Sequence, residues 1–264
     1  MDGAIGSQLK NSSSGDSFCI KKPEIVEELH RDYLSAGADI IKTNTFLSNR
    51  GPQDHEINVA GARIARKVAD EFSPPRFVAG AIGPGGPSAN GYFEQACGLI
   101  EGGAHLLIAE TMTSIGNAEL AVQGCEDAFQ KLGLGLPMML SITIAQDGKL
   151  LSGETLEEFW LAVSPHKPFS VGINCSFGAR HMKPHIKRLR EIAATYVSCH
   201  PSAGLPDAFG KYPESPEVWA DSMREFAERG WVDIVGGCCG TTPDHIRALS
   251  QAVSQIPHGT IALL

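Results

Sequence analysis

Two kinds of segment are missing from this sequence of 264 residues. No apolar run approaches the roughly 20 residues that a membrane-spanning helix needs, and the first residues lack the basic and apolar regions of a secretory signal. Basic residues are also outnumbered, with 22 Lys and Arg against 30 Asp and Glu and a formal net charge of -8. We therefore expect a cytoplasmic protein without a membrane partner and without the basic surface that nucleic-acid binding requires.

Two common sequence signatures are absent as well. No CxxC pair occurs, which argues against a zinc ribbon, and no GxGxxG turn follows a predicted strand, which argues against a dinucleotide site. The seven cysteines are an odd number in a chain without an export signal, so a disulfide framework is not expected. Metal binding or thiol chemistry is then the better explanation for some of them, although any single cysteine can be a small buried hydrophobe.

What the sequence does contain is a regular alternation of short apolar runs and amphipathic stretches. Runs rich in Val, Ile, Leu and Ala are typical of buried parallel strands, and the amphipathic stretches between them are typical of crossover helices. The predicted strands cover residues 38–42, 76–82, 105–110, 137–143, 169–174, 195–199 and 232–236. The predicted helices cover residues 23–35, 57–71, 92–101, 118–131, 156–163, 182–194, 216–229 and 243–253.

This alternation predicts an α/β fold, namely a TIM-type (β/α)8 barrel that occupies residues 1–264 as a single domain. A barrel of this type needs about 250 residues, which the chain has. Only seven strands are found, because no apolar run precedes Asp2. We therefore expect the first strand to be truncated. A doubly wound parallel sheet is the alternative architecture.

The strongest chemical signal is the segment 236–243 (GGCCGTTP), which follows the last predicted strand and precedes the last predicted helix. Its cysteines, Cys238 and Cys239, have a third candidate partner in Cys175, at the end of another strand. The carboxyl ends of barrel strands form one face, so the three sulfurs can converge. Three thiolates suit zinc and leave its fourth position open for a substrate thiol. A redox pair of the two adjacent cysteines is the alternative.

Several motifs, taken together, resemble the homocysteine S-methyltransferase family, and most closely the homocysteine-binding domain of cobalamin-dependent methionine synthase. They run from end to end in the order of that family. The motifs are DGAIG at 2–6, AGADII at 36–41, TNTF at 43–46, ET at 110–111, GINC at 172–175, AGLPDAFG at 203–210 and GGCCGTTP at 236–243. The chain departs from the family at Lys42, where related chains usually carry an acid, and at Ser202, where they usually carry Asn.

The resemblance implies a TIM-type barrel in which Cys175, Cys238 and Cys239 bind Zn2+ and act in catalysis. It implies that homocysteine binds as a zinc thiolate and takes a methyl group to give methionine. No DxHxxG signature of a corrinoid-binding domain occurs, so we expect methylcobalamin carried by a corrinoid partner protein to be the donor. A donor of the S-methylmethionine or betaine type, another thiol acceptor, and a non-catalytic zinc-binding barrel remnant are the alternatives.

The resemblance also implies roles for five residues in binding the substrate. Asp2 and Glu110 would hold the ammonium of homocysteine, the backbone amides around Gly3 and Ala4 would take its carboxylate, and Asn44 would line the pocket beside the metal. Each residue type also has a purely structural explanation. Asp2 could be a turn residue, Glu110 part of a structural ion pair, and Asn44 a helix or turn cap.

Overall fold

The computed structural model describes residues 1–9, 15–51, 53–85 and 88–257. The strands are β1 (Ile40–Lys42), β2 (Phe77–Ile82), β3 (Leu106–Met112), β4 (Met138–Ile142), β5 (Ser170–Cys175), β6 (Tyr196–Pro201) and β7 (Ile234–Val235). The α-helices are α1 (Phe18–Lys21), α2 (Pro23–Ser35), α3 (Asp54–Ala69), α4 (Ala89–Glu101), α5 (Ile115–Leu132), α6 (Leu156–Val163), α7 (Ala179–Ile192), α8 (Pro216–Glu228) and α9 (Pro243–Val253).

The seven strands form one curled parallel sheet in sequential order, from β1 to β7. A doubly wound sheet has a reversal in its strand order, so this alternative is excluded. All seven predicted strands and all eight predicted helices are present, and the short helix α1 is an addition. The architecture is consistent with a TIM-type barrel that strand pairing does not fully close.

Side chains of the strands alternate between the inside of the curled sheet and the surrounding helices, as the pleat requires. The outer face of the sheet, with Ile41 and Leu107, packs against helix residues such as Trp219 to form the larger core. The inner face has a smaller apolar core of its own, formed by Met1, Ala79, Ala81, Leu106, Ile108, Met139 and Ile234. Burial on both faces explains why the strands are near-continuous apolar runs in the sequence.

The first residues lie where the first and last strands approach each other. The backbone amide of Asp2 donates to the carbonyl oxygen of Ile40 at 2.9 Å, and the amide of Gly237 donates to the carbonyl oxygen of Asp2 at 2.9 Å. β1 and β7 are not paired with each other in the described parts of the chain. The segment at Asp2 thus bridges the place where we expected a truncated strand.

The loops that follow β6 and β7 at the carboxyl ends of the strands lead into the helices α8 and α9, which begin with N-terminal caps. Ser215 accepts a hydrogen bond from the amide of Val218 and precedes Pro216, the first residue of α8. Thr242 forms a capping box with His245 and precedes Pro243, the first residue of α9. Proline is favoured there because the first helical amide needs no partner. Within the described residues, no helix is long and apolar enough to cross a bilayer.

Candidate active site

Three thiols converge at the carboxyl ends of two strands. Cys175 is the last residue of β5, and Cys238 and Cys239 follow β7 after two glycines. Their sulfur atoms all lie within 4.8 Å of one another, and Sγ of Cys175 is 3.7 Å from Sγ of Cys239. The rim of the sheet therefore brings together the sulfurs that the strand-end positions predicted to meet.

The distance between two of the three sulfurs suits a tetrahedral metal. Zinc with Zn–S distances of about 2.3 Å holds its sulfur ligands about 3.8 Å apart, and the distance between Cys175 and Cys239 fits this edge. Cys175 and Cys238 are in closer contact, as in a disulfide. A disulfide would use two of the three thiols and leave Cys239 beside it without a role. We therefore assign the cluster as a candidate metal centre of the reduced protein, since cysteine binds zinc as a thiolate and not as a disulfide.

The remaining cysteines differ from this cluster. Cys19, Cys97, Cys125 and Cys199 are all buried, and burial raises the pKa of each thiol. A thiol that resists deprotonation in an apolar environment is a poor nucleophile and a poor metal ligand. These four cysteines are the small buried hydrophobes that a single cysteine usually is.

The backbone near the cluster is strained. Thr111, Cys175 and Ser176 have φ angles of 62°, 56° and 51°, in the left-handed region that residues with a Cβ rarely adopt. Such conformations cost about 1–3 kcal/mol each and are held by the surrounding structure. At Thr111, the backbone amide donates to Oδ1 of Asn174 at 2.9 Å. These residues lie at the carboxyl ends of β3 and β5, where Cys175 belongs to the cluster.

Asn174 links the strands around the metal centre and is fully buried. Its Oδ1 accepts from the Ser141 hydroxyl at 2.7 Å, and its Nδ2 donates to Oγ1 of Thr111 at 2.7 Å. Nδ2 also lies 3.9 Å from Sγ of Cys238. An amide that is fixed on three sides can orient a neighbouring thiolate, as outer-sphere partners of metal ligands do.

Asp2 has one satisfied and one unsatisfied carboxylate oxygen. Its Oδ2 accepts from the backbone amide of Lys42 at 2.8 Å, while its Oδ1 is buried and has no hydrogen-bond partner in the described residues. Burial raises the pKa of Asp2 to about 7, and the Lys42 charge opposes this shift. A buried, unpaired acceptor costs about 1–3 kcal/mol, so this oxygen is poised to receive a cationic donor.

The other predicted acid, Glu110, is already paired. Its Oε2 accepts from Nζ of Lys42 at 3.1 Å, and each of these side chains is 7% exposed. Burial by itself lowers the pKa of Lys42, but Glu110 and Asp2 outweigh burial and the net shift is upward. Lys42 is therefore a charged ammonium in the pocket, and the ion-pair alternative for Glu110 is what the structure shows.

The other three residues predicted to bind the substrate are Gly3, Ala4 and Asn44. The backbone amide of Ala4 donates to Oγ1 of Thr241 at 3.1 Å, so it already has a partner. The Gly3 amide has none among the residues that the structure describes. Nδ2 of Asn44 donates to the carbonyl oxygen of Gly15 at 2.9 Å. Whether these residues contact a substrate stays a prediction.

The sequence patterns did not reveal two residues of the pocket. His200, on β6, is buried, and neither ring nitrogen has a partner in the described residues. Burial, followed by the charge of Lys42, holds the pKa of His200 well below its ordinary value, so the ring is neutral. Burial and the neighbouring Cys239 raise the pKa of Tyr212 to about 12, so its hydroxyl stays protonated beside the thiol. His200 lies one residue before the end of β6, and this position was the feature of the sequence that could have indicated a residue of the site.

Comparison with known proteins identifies the family and supports the fold. The family model described as homocysteine S-methyltransferase matches residues 1–253. The apo form of the homocysteine methyltransferase MmuM from Escherichia coli is 22% identical with a TM-score of 0.77, and the metallated form is 19% identical with a TM-score of 0.78. Both matches cover 95% of this chain and 94% of MmuM. The 3-hexulose-6-phosphate synthase from Salmonella typhimurium has a TM-score of 0.55 at 11% identity, over 89% of this chain and 95% of that chain.

Proposed function

Because the chain belongs to the homocysteine S-methyltransferase family, we propose that residues 1–264 form one barrel domain that methylates the thiol of homocysteine and so yields methionine. The observation that carries the proposal is the convergence of three sulfurs within 4.8 Å at the strand ends. Asp2, whose backbone carbonyl accepts from the amide of Gly237 next to Cys238, has a buried acceptor oxygen without a partner in the described residues, and this oxygen supports an ammonium-bearing thiol as the substrate.

In the proposed site, Cys175, Cys238 and Cys239 would hold Zn2+ as thiolates, and three protein ligands would leave the metal open to a substrate thiol. Zinc there would lower the pKa of a coordinated thiol, so the acceptor would react as a thiolate near neutral pH. Asn174 fixes the orientation of Cys238 through its 3.9 Å contact with the sulfur. Tyr212, which keeps its proton, can donate to Cys239 and tune the charge on that sulfur.

The methyl donor is proposed to be methylcobalamin on a corrinoid partner protein. The described residues form strands, helices and connecting loops of one curled sheet, and none of them forms a separate unit that could carry a corrinoid. A donor delivered by another protein requires an open rim, and the three cysteines are partly exposed there. A small sulfonium or betaine-type donor would use the same opening.

Methionine formation from homocysteine is the direct test. Reduced, zinc-loaded protein is incubated with homocysteine and, in parallel, with methylcobalamin, S-methylmethionine or betaine. We expect methionine with methylcobalamin at a rate well above the reaction without protein. When 2-mercaptoethanol replaces homocysteine, we expect no S-methylated thiol. A folded protein with stoichiometric zinc that produces no methionine from any of the three donors would contradict the proposal.

The free oxygen of Asp2 predicts how the ammonium binds. The variant Asp2→Asn keeps an oxygen to accept from the Lys42 amide but loses the charge. A hydrogen bond to a charged group is worth about 1.5–3 kcal/mol, so we expect about 10- to 100-fold weaker binding of homocysteine. 4-Mercaptobutyrate, which lacks the ammonium, should bind both proteins equally. Calorimetry on the zinc-loaded proteins measures both ligands.

Comparing the affinities for these two ligands at different pH values distinguishes the titration of Asp2 from the titration of other groups. Because the pKa of Asp2 is about 7, the preference of the wild type for homocysteine over 4-mercaptobutyrate should decline as the pH falls below 7. The carboxyl group then gains a proton and can no longer pair with an ammonium. Equal losses for both ligands in Asp2→Asn would show that Asp2 only supports the fold.

A further inference from the structure

Lys42 reaches across the inner face of the sheet to a strand that is not its neighbour. It ends β1, whereas its partner Glu110 lies on β3, with β2 between them. The inward side chains of β2 at this level are Ala79 and Ala81, which are small. They leave room for the long side chain of Lys42, which is buried and brings Nζ to 3.1 Å from Oε2 of Glu110.

The hydrogen bonds of this ammonium are incomplete. A lysine ammonium has three donors, and in the described residues Nζ of Lys42 has one acceptor, Oε2 of Glu110. Buried donors without partners are uncommon, because each costs the free energy of its lost hydration. Two donors therefore remain for an acceptor that is not part of these residues.

An unpaired acceptor lies near this unpaired donor. Oδ1 of Asp2 has no partner in the part of the chain that the structure describes, and the Lys42 charge acts on the carboxyl group of Asp2. The two groups nevertheless do not form a hydrogen bond with each other. A buried cation with free donors and a buried carboxylate with a free oxygen complement the two charges of an α-amino acid, one group for each charge.

We propose that Lys42 binds the α-carboxylate of the thiol acceptor and thereby selects acceptors that carry one. This inference rests on the proposed function and adds the recognition of the carboxylate to it. Glu110 is then a positioning residue, which holds Lys42 through the ion pair.

The test compares two ligands that differ only in the carboxylate. Homocysteine carries it, and 3-aminopropanethiol has the same chain, thiol and ammonium without it. Wild-type protein loaded with zinc should bind homocysteine at least about 10-fold more tightly, since a charge-assisted hydrogen bond is lost with the other ligand. In Lys42→Met this ratio should fall to about 1, because the long apolar side chain keeps the shape but has no donor.

A second variant controls for misfolding and for the unpaired charge that the first variant leaves in the site. Lys42→Met leaves the Glu110 carboxylate buried without its cation, whereas Lys42→Met combined with Glu110→Gln restores a neutral pair. We expect the ratio of affinities to be about 1 in this double variant too, with zinc content as in the wild type. A ratio that stays at its wild-type value in the zinc-loaded double variant overturns the role of Lys42, and so does a wild-type ratio of 1.

The outcomes also separate this inference from the proposed function. If homocysteine binds the wild type but its carboxylate contributes nothing, the inference fails and the methyltransferase proposal stands. If zinc-loaded wild-type protein binds homocysteine no better than 2-mercaptoethanol and forms no methionine, both fail.

Discussion

Replacement of Cys239 by Ala is expected to remove zinc and methyl transfer together, the largest change that any single substitution should cause in this protein. The variant Cys239→Ala leaves two thiolates where the site offers three. Loss of an outer-sphere partner already weakens metal binding about 10- to 100-fold, so loss of a ligand should weaken it by more than about 100-fold. Methionine formation should fall to the level without protein, because the acceptor thiol would no longer be activated.

The matched control for this variant is Cys97→Ala. Cys97 is buried in α4 and does not belong to the sulfur cluster. Its replacement should preserve both zinc content and activity. Metal analysis and methionine formation are measured after reduction, because Cys175 and Cys238 are close enough to oxidise to a disulfide. Stoichiometric zinc in reduced Cys239→Ala, at wild-type affinity, would falsify the assignment of the metal centre.

Removal of the Glu110 carboxylate should give the largest loss of stability. In Glu110→Ala, the buried ammonium of Lys42 loses the acceptor at 3.1 Å. Breaking a buried ion pair by removing one partner costs about 3–5 kcal/mol, because the remaining charge is left unpaired in a medium of low polarity. We expect a decrease of this size in the free energy of unfolding, measured with urea at neutral pH.

Three related variants test the cause of this loss. Glu110→Gln keeps an oxygen that can accept from Lys42 and should lose less. Adding Lys42→Met to Glu110→Ala removes the unpaired charge and should recover part of the stability. Glu228→Ala breaks an ion pair with Arg224 in which the side chains are 50% and 44% exposed, and such pairs contribute at most about 1 kcal/mol. Similar losses for Glu110→Ala and Glu228→Ala would show that the Lys42 pair is not buried in solution.

The two predictions concern groups that differ in their exposure to water. The sulfur cluster forms the rim, where partly exposed thiols can meet a donor. Asp2, Lys42 and Glu110 are buried and shielded from water. Low polarity strengthens the charge interactions among these buried groups. A zwitterionic acceptor whose thiol lies at the rim could therefore be recognised through its own two charges. A site filled with water would bind these charges only weakly.

The strands and helices of the sheet were predictable because local patterns encode them. Apolar runs such as 169–174 and 105–110 coincide with β5 and β3 to within two residues at each end. The helix starts at Ser215 and Thr242 follow from the capping chemistry of residues adjacent in the chain. In contrast, the bridge at Asp2 depends on hydrogen bonds to Ile40 and Gly237, which are distant in the sequence.

The sequence by itself determined the cysteines that meet. Strand ends of a parallel barrel share one face, so the positions of Cys175, Cys238 and Cys239 at strand ends predict that the three sulfurs can converge. Only the tertiary structure decided that Lys42 pairs with Glu110. That pair depends on the reach of a long side chain across small residues of β2 and spans 68 positions in the chain. No local periodicity records such a contact, because it arises only once the sheet has curled.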